Sequence, residues 1–132
     1  MVLKILRVSL FIAVPWLTTG GVLAHHGGAA YDSSRSVTVT GVVTKFEFIN
    51  PHVLIYIAVT DGSGNTVEWS GELTSPNRLA RMERGSTTRW GKDLLQSGDE
   101  ITLSGNPART GAPSLRLRTV IDSNSIVLVG SN

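Results

Sequence analysis

The chain has 132 residues, contains no cysteine, and carries 12 Lys+Arg against 10 Asp+Glu, a formal net charge of +2. This length suits a single domain. The lack of cysteine excludes disulfide bonds, thiol catalysis and zinc–thiolate sites, whatever the compartment.

The first 24 residues have the pattern of a secretory signal peptide. Lys4 and Arg7 are followed by an apolar run at 8–17 and by small residues that end at Ala24, which predicts export with cleavage after Ala24. The run is shorter than the roughly 20 residues of a membrane span, and an uncleaved N-terminal anchor is the alternative. Cleavage would leave a neutral domain with 10 Lys+Arg and 10 Asp+Glu, so charge gives little support for a nucleic-acid partner.

A flexible arm is predicted between the signal peptide and the folded domain. Residues 25–36 are rich in Gly, Ala and Ser and have no periodicity, which is typical of an extended or mobile segment. The folded domain is predicted to occupy residues 37–132. Alternating apolar residues from Val37 to Phe48 indicate a long first strand. Its apolar phase changes at Gly41, which favours a β-bulge or bend at that residue.

The rest of the domain alternates strands and turns, with one short helix. Asp61 and Asn65 lie at the two ends of a Gly-containing hairpin loop. A turn explains these residues better than a calcium-binding loop, because the Glu that a calcium-binding loop carries downstream is missing. Ser75 as N-cap and Pro76 at the first position predict a helix that Gly85 would end. Further strands are predicted at 52–60, at 66–73, from 101 to a turn at 105–107, at 115–120 and at 126–129.

This order of elements predicts the fold class. Three strands, a short helix and two or three more strands form an all-β domain with one short helix. The order is that of a small five- to six-stranded OB-like Greek-key barrel. A small β-sandwich is the alternative, since it accommodates the same order of elements.

Several short motifs are distributed along the whole domain. They are His25-His26, Gly41 with Phe46, Asn50-Pro51-His52, Trp69 with Glu72, Ser75-Pro76, and Gly105-Asn106-Pro107-Ala108-Arg109 with Gly111. This combination resembles an uncharacterised family of exported proteins that is labelled domain of unknown function 6152. The resemblance implies export and a compact β domain and assigns no activity. The stretch from Arg81 to Lys92 departs from the family pattern because it is longer and more polar.

The three histidines are candidate metal ligands. If cleavage follows Ala24, His25 gains a free α-amine beside its imidazole, and His26 adds a second imidazole. Nitrogen-rich sites of this kind favour Cu(II), and His52 supplies a third imidazole if the arm folds back over the barrel. The alternative is that His25 and His26 form a flexible junction and that His52 packs beside the Asn-Pro turn.

A basic cluster with one tryptophan lies in and after the predicted helix. Its members are Arg78, Arg81, Arg84, Arg89, Trp90 and Lys92. OB-fold surfaces can hold anionic groups on such residues, so Arg78, Arg81 and Trp90 are candidate ligand-binding residues. For an exported protein, an anionic glycan or a lipid headgroup fits better than nucleic acid. A solvated helix face and loop is the alternative.

Catalytic patterns are weak in this sequence. Glu68 and Glu72 share a face of the predicted third strand, as acid–base carboxylates would, but the pattern favours a solvated face. No nucleophile motif, phosphate loop or dinucleotide fingerprint is found.

We therefore expect a periplasmic or secreted, non-enzymatic binding module for a small ligand or a partner protein, with no nucleic-acid partner and no membrane span after signal cleavage. The alternative is a periplasmic copper-binding protein that uses His25, His26 and His52, with Cu(II) as its cofactor. A metal-dependent enzyme is the third possibility.

Overall fold

A computed structural model describes residues 28–82 and 88–129. The strands are β1 (Val37–Glu47), β2 (Leu54–Thr60), β3 (Thr66–Glu72), β4 (Glu100–Pro107), β5 (Ser114–Asp122) and β6 (Val127–Val129), and the helix between β3 and β4 is α1 (Pro76–Met82). The predicted signal peptide at 1–24 lies outside the described residues.

The strands form one sheet that closes on itself. Their order is β3-β2-β1-β4-β5-β6, and an additional parallel pairing of β3 with β5 joins the first five strands into a closed barrel. This connectivity, with a helix after the third strand, is that of the OB fold. The predicted OB-like Greek-key barrel is confirmed, with β6 as an extra strand, and the β-sandwich alternative is wrong.

Strand β1 serves two sides of the barrel. Its first half pairs with β4 and its second half with β2. At Gly41, near the change of partner, an added Cβ would lie 2.4 Å from the carbonyl oxygen of Ala58, so only glycine permits this close approach. The prediction of a phase change at Gly41 is wrong, because the register shift falls between Val43 and Lys45.

The bulge after Val43 explains which residues of β1 face the interior. Val43 is buried, whereas Val42 is 42% exposed. The extra residue in the bulge moves Phe46 to the interior side, where it packs against the core. Val42 and Phe46 are four residues apart, a spacing that alternation alone would place on one face, but the inserted residue puts them on different sides of the strand.

Strand β4 is longer than predicted. The segment Gly105-Asn106-Pro107 was expected to end the strand, but it continues the pairing with β5 after a register shift between Ser104 and Gly105. Gly105 makes this possible because its backbone lies against β5, where an added Cβ would be 2.2 Å from the Arg116 carbonyl oxygen. The glycine here allows a close strand contact and does not mark a turn.

The helix closes one end of the core. The carbonyl oxygen of Ser75 accepts hydrogen bonds from the backbone N–H groups of Arg78 and Leu79, so α1 begins where the Ser75-Pro76 pair predicts. Leu79 is 1% exposed, whereas Met82 is 57% exposed. The buried apolar core consists of Val43, Val53, Ile55, Ile57, Leu73, Leu79, Leu95, Ile101, Leu103, Leu115, Leu117 and Val120.

The segment before β1 lies against the barrel. Residues Gly28–Ala30 form a 3-10 turn, and Tyr31 forms an isolated bridge with Ala108. The backbone N–H of Asp32 donates to the Pro107 carbonyl, and that of Arg109 donates to the Ala30 carbonyl. These contacts run along the end of β4, so the described part of the predicted arm follows the barrel surface.

Within residues 28–82 and 88–129, no helix combines the length and the apolar character that crossing a bilayer requires.

Candidate functional site

Glu72 lies at the centre of a cluster of polar side chains at the end of β3. It is paired with Leu54 of β2 and, across the parallel closure, with Arg116 of β5. His52 lies two residues before β2, so the pairing of β2 with β3 brings it beside Glu72. We define the Glu72 cluster as Tyr31, His52, Glu72, Ser114 and Arg116.

The carboxylate of Glu72 contacts three of these residues. Its Oε1 lies 2.8 Å from Nδ1 of His52 and 3.7 Å from a terminal nitrogen of Arg116. Its Oε2 accepts a hydrogen bond of 3.2 Å from the hydroxyl of Tyr31. The Glu72 side chain is 19% exposed, so the interpretation of this residue as part of a solvated face is wrong.

Tyr31 connects the N-terminal segment to the cluster. Its hydroxyl donates to Glu72, so in the 3.3 Å contact with Ser114 the serine is the donor. Ser70 donates in turn to Ser114 at 3.0 Å. Burial raises the pKa of Tyr31, and the hydrogen bond from Ser114 opposes this rise. The phenol is therefore a neutral hydrogen-bond donor at neutral pH.

A cavity opens beside β5, along a part of one edge of this strand that has no partner strand. On that edge, β3 pairs with residues up to Arg116, and β6 pairs with Val120 and Ile121. Among residues 28–82 and 88–129, no strand pairs with 117–119 on this side. The cavity, which we call the β5 cavity, occupies about 340 Å³ between α1, β5 and Val129.

The β5 cavity combines an apolar floor with positive charge. Its buried apolar lining consists of Leu73, Leu79 and Leu117. Its charged lining consists of Arg78, Arg116 and Arg118 with one acid, Glu72. Three guanidinium groups against one carboxylate make the described lining net positive, which favours an anionic group. A concave site that combines apolar surface with a few charged groups is typical of small-molecule binding.

Two of the arginines are held in place by neighbouring side chains. Arg116 and Arg118 are two residues apart on β5 and so point to the same side of the strand. Arg116 is near Glu72, and the Nε of Arg118 donates to Oδ1 of Asn106 at 2.9 Å. Asn106 is 7% exposed, and its amide nitrogen donates to the Arg35 carbonyl at 2.6 Å. The buried amide therefore fixes Arg118 at the cavity.

The candidate metal ligands are only partly described by the structure. His25 and His26 lie outside the described residues, and His52 belongs to the Glu72 cluster. In the described ranges, no group of three or more histidine or acidic residues is arranged to hold a metal ion. Copper binding by the three histidines therefore stays a prediction.

The structure separates the three candidate ligand-binding residues. Arg78 lines the β5 cavity, whereas the Nε of Arg81 donates to the Asn77 carbonyl on the surface of α1 at 3.2 Å. The indole of Trp90 donates to the Leu128 carbonyl at 3.2 Å and its ring lies 6.4 Å from that of Phe46. Arg81 and Trp90 are not among the described lining residues of the cavity.

The sequence interpretation assigned Glu72 to a solvated face and did not single out Arg116, Arg118 or Asn106 as site residues. Arg116 and Arg118 alternate with Leu115 and Leu117 in the sequence, and this pattern indicates only that they lie outside the barrel. A sequence signal for a site would have been two arginines on one strand face beside a helix that also carries arginines. The pairing of β5 with β3, which places them together, is not visible in the sequence.

No curated protein matches the chain. A solved structure that resembles it is that of the mitochondrial single-stranded DNA binding protein Rim1 from S. cerevisiae, with 13% sequence identity and a TM-score of 0.44 over 74% of this chain and 96% of that one. The fold assignment rests on the strand order alone.

The sequence also matches a family model, described as a family of unknown function (DUF6152), over residues 17–116. The match extends to Arg116, the last residue of β5 that pairs with β3. It confirms the family resemblance that the motifs indicated. The chain therefore belongs to the family of unknown function DUF6152.

Proposed function

We propose that this protein is an exported, non-enzymatic binding module and that the β5 cavity is its ligand site. The observation that carries the proposal is the lining of the cavity, in which three arginines surround a floor of buried leucines. A volume of about 340 Å³ falls at the lower end of the range for ligand pockets, which is roughly 300–1,000 Å³. The ligand is therefore a small molecule.

Export is supported by the sequence of the first 24 residues. Lys4 and Arg7, the apolar run and the small residues before His25 form the three parts of a signal peptide. Mass spectrometry of the protein recovered from the periplasm or the medium is expected to give a mature chain that begins at His25. Recovery of the intact chain in the membrane fraction would contradict export with cleavage.

A non-enzymatic role is supported by the hydrogen bonds of the Glu72 cluster. A serine nucleophile requires a base within hydrogen-bond reach of its hydroxyl. In the described structure, the hydroxyl of Ser70 donates to Ser114, and that of Ser114 contacts Tyr31, not His52. The cluster therefore resembles a structural network more than a nucleophile and its base.

The ligand site can be tested with the anionic, apolar fluorescent probe 8-anilinonaphthalene-1-sulfonate. We expect the folded protein to enhance the fluorescence of the probe. A Thr74→Trp variant, which places a large ring in the cavity lining, is expected to abolish most of this enhancement. Ser63→Trp, in the exposed turn between β2 and β3, is the control. Full enhancement by a folded Thr74→Trp variant, checked by circular dichroism, would contradict the assignment of the site.

Copper binding by His25, His26 and His52 is a second candidate function, and the position of Tyr31 favours it. Tyr31 and His52 contact the same carboxylate, that of Glu72. Tyr31 follows His26 by five residues in the sequence, so the N-terminal histidines precede a residue that shares this carboxylate with His52. A carboxylate on Nδ1 is also the usual partner of a metal-binding histidine, whose other nitrogen binds the metal.

Titration with Cu(II), followed by calorimetry and paramagnetic resonance, tests this second function. The proteins are the chain that begins at His25, the same chain with one extra N-terminal residue, and a His52→Ala variant. Weaker binding by both variants would support a shared three-histidine site. Equal binding by the parent and His52→Ala would reduce the site to the chemistry of a free N-terminus. A natural N-terminus other than His25 would contradict this function.

A further inference from the structure

We propose that the ligand of the β5 cavity is a small amphipathic anion whose carboxylate or phosphate lies between Arg116 and Arg118. The apolar part of this ligand would pack on Met82 and Val129, beside Leu117. This inference rests on the proposed function, since it specifies the chemistry of a ligand for the same cavity. Three features of the cavity carry it: the charge of the lining, the fixed position of the arginines, and the apolar floor.

The first feature is the pair of arginines on β5. A guanidinium group presents several N–H donors in one plane and can bind a carboxylate or phosphate with two hydrogen bonds. In Arg118, Nε already donates to Asn106, so the terminal nitrogens are the donors left for a ligand. Arg116 lies two residues away on the same side of β5. Both guanidinium groups can therefore donate hydrogen bonds to one anionic group.

The second feature is the order that neighbouring residues impose on these side chains. Binding loses affinity when flexible side chains must be ordered, at a cost of about 0.5–1.5 kcal/mol for each long side chain. Asn106 is buried and is itself fixed by a hydrogen bond of 2.6 Å to the Arg35 carbonyl. Glu72, fixed by His52 and Tyr31, lies on the other side at 3.7 Å from Arg116. These contacts already restrict the side chains of Arg116 and Arg118, so ligand binding has to order them less.

The third feature is the apolar floor. The buried Leu79 and Leu117 lie beneath the cavity, and the partly exposed Val129 lines it beside them. Met82, which is 57% exposed, lies at its rim. A fully polar anion such as inorganic phosphate would leave this surface uncovered, and a neutral alcohol would leave the arginines without a partner. A ligand with one anionic head and a short apolar body satisfies both parts of the lining.

Calorimetric titration of the purified full chain with four probes tests this inference. The probes are octanoate, octyl phosphate, 1-octanol and inorganic phosphate. We expect octanoate or octyl phosphate to bind at least about ten-fold more tightly than 1-octanol or inorganic phosphate, which corresponds to the loss of one charge-assisted hydrogen bond or more. A Met82→Glu variant, with an acid at the exposed rim, is expected to weaken binding of the two amphipathic anions more than binding of 1-octanol.

The double variant Arg116→Gln/Arg118→Gln separates this inference from the proposed function. We expect it to lose about ten-fold or more in affinity for octanoate and octyl phosphate and to keep its affinity for 1-octanol. Arg81→Gln, on the surface of α1 and outside the described lining, is the matched control and is expected to change none of these affinities. Unchanged octanoate binding by a folded double variant would overturn the anion assignment and leave the cavity as the ligand site.

A lipid surface presents the same chemistry as a free amphipathic anion, and one further experiment distinguishes these two sources of the ligand. Flotation with phosphatidylglycerol vesicles is compared with titration by octyl phosphate. Binding of octyl phosphate with no retention on vesicles supports a free ligand. Retention on vesicles that Arg116→Gln/Arg118→Gln leaves unchanged, with no binding of octyl phosphate, would overturn both the inference and the assignment of the cavity.

Discussion

Nδ1 of His52 and Oε1 of Glu72 lie 2.8 Å apart, and this contact joins the residues before β2 to the end of β3. The same carboxylate accepts a hydrogen bond from Tyr31, in the segment before β1. One side chain therefore links three parts of the chain that are distant in sequence. This role makes Glu72 a structural residue as well as a part of the cavity lining.

Replacement of Glu72 by alanine is expected to destabilise the protein by about 1–3 kcal/mol, because the hydroxyl of Tyr31 and the imidazole of His52 lose their acceptor. Urea unfolding measures this loss. Glu68→Ala is the matched control, since Glu68 is on the same strand, is exposed, and accepts a single hydrogen bond from Thr44. We expect the control to change stability by no more than about 0.5 kcal/mol. Equal losses from the two variants would contradict the linking role of Glu72.

Gly105→Ala is expected to destabilise the barrel by about 1–3 kcal/mol, as overpacking typically does. An added Cβ would lie 2.2 Å from the Arg116 carbonyl, so β4 and β5 would have to move apart. Thermal unfolding followed by circular dichroism measures the effect. Gly62→Ala, in the turn between β2 and β3, has no atom within 4 Å of the new Cβ and should be near neutral. A stable Gly105→Ala variant would show that these strands are not in close contact.

Leu79→Ala is expected to cost about 2–5 kcal/mol, the usual range for a fully buried leucine. Leu79 is 1% exposed and belongs to the core that α1 covers. Met82→Ala on the same helix removes a side chain that is 57% exposed and is expected to cost far less. Chemical denaturation of both variants provides the comparison. If the two losses were similar, α1 would not be packed on the barrel as described.

Protonation of the Asp61 carboxylate is expected to lower the free energy of unfolding in acid. Hydrogen bonds from the backbone N–H groups of Asn65 and Ser63 lower the pKa of Asp61 below its ordinary value of 3.8. Because the pKa is lower in the folded state, the stabilisation is present above pH 3.8 and is lost as the pH falls through the folded-state pKa. Carboxyl chemical shifts give the pKa, and urea unfolding across the acid range gives the stability.

Asp61→Asn is the control for this acid effect. The variant keeps an oxygen that can accept the turn hydrogen bonds but has no carboxyl group to titrate there. We expect its unfolding free energy to depend less steeply on pH below 3.8 than that of the parent chain. An unchanged slope would assign the acid loss to other carboxyl groups.

The order of strands and helix along the chain was predictable from the sequence, whereas the details of β1 and β4 were not. Alternation and turn residues locate the strands, and Ser75-Pro76 locates the start of α1. The bulge after Val43 and the continuation of β4 through Pro107 depend on which neighbouring strand each residue meets. Gly41 and Gly105 were therefore interpreted from local preference, although both occupy places where two backbones approach closely.

The candidate site was less predictable than the fold. Of the residues singled out from the basic cluster, Arg78 lines the β5 cavity, while Arg116 and Arg118 come from a strand whose pattern indicated only an outward face. Glu72 is set among its partners by pairings between segments far apart in the chain. Charge and hydropathy patterns describe one strand at a time, and this cavity is formed by the gap between two strands and a helix.

The parallel pairing of β3 with β5 also has a consequence for the order in which the protein can fold. The hairpins β1–β2 and β2–β3 join residues close in sequence, but the parallel pairing of β3 with β5 joins Ser70 to Ser114, 44 residues later. Long-range pairings of this kind form slowly, because the intervening chain must be ordered before they contribute. The sheet therefore stays open until residues 114–116 pair with β3, so barrel closure follows the ordering of the chain between β3 and β5.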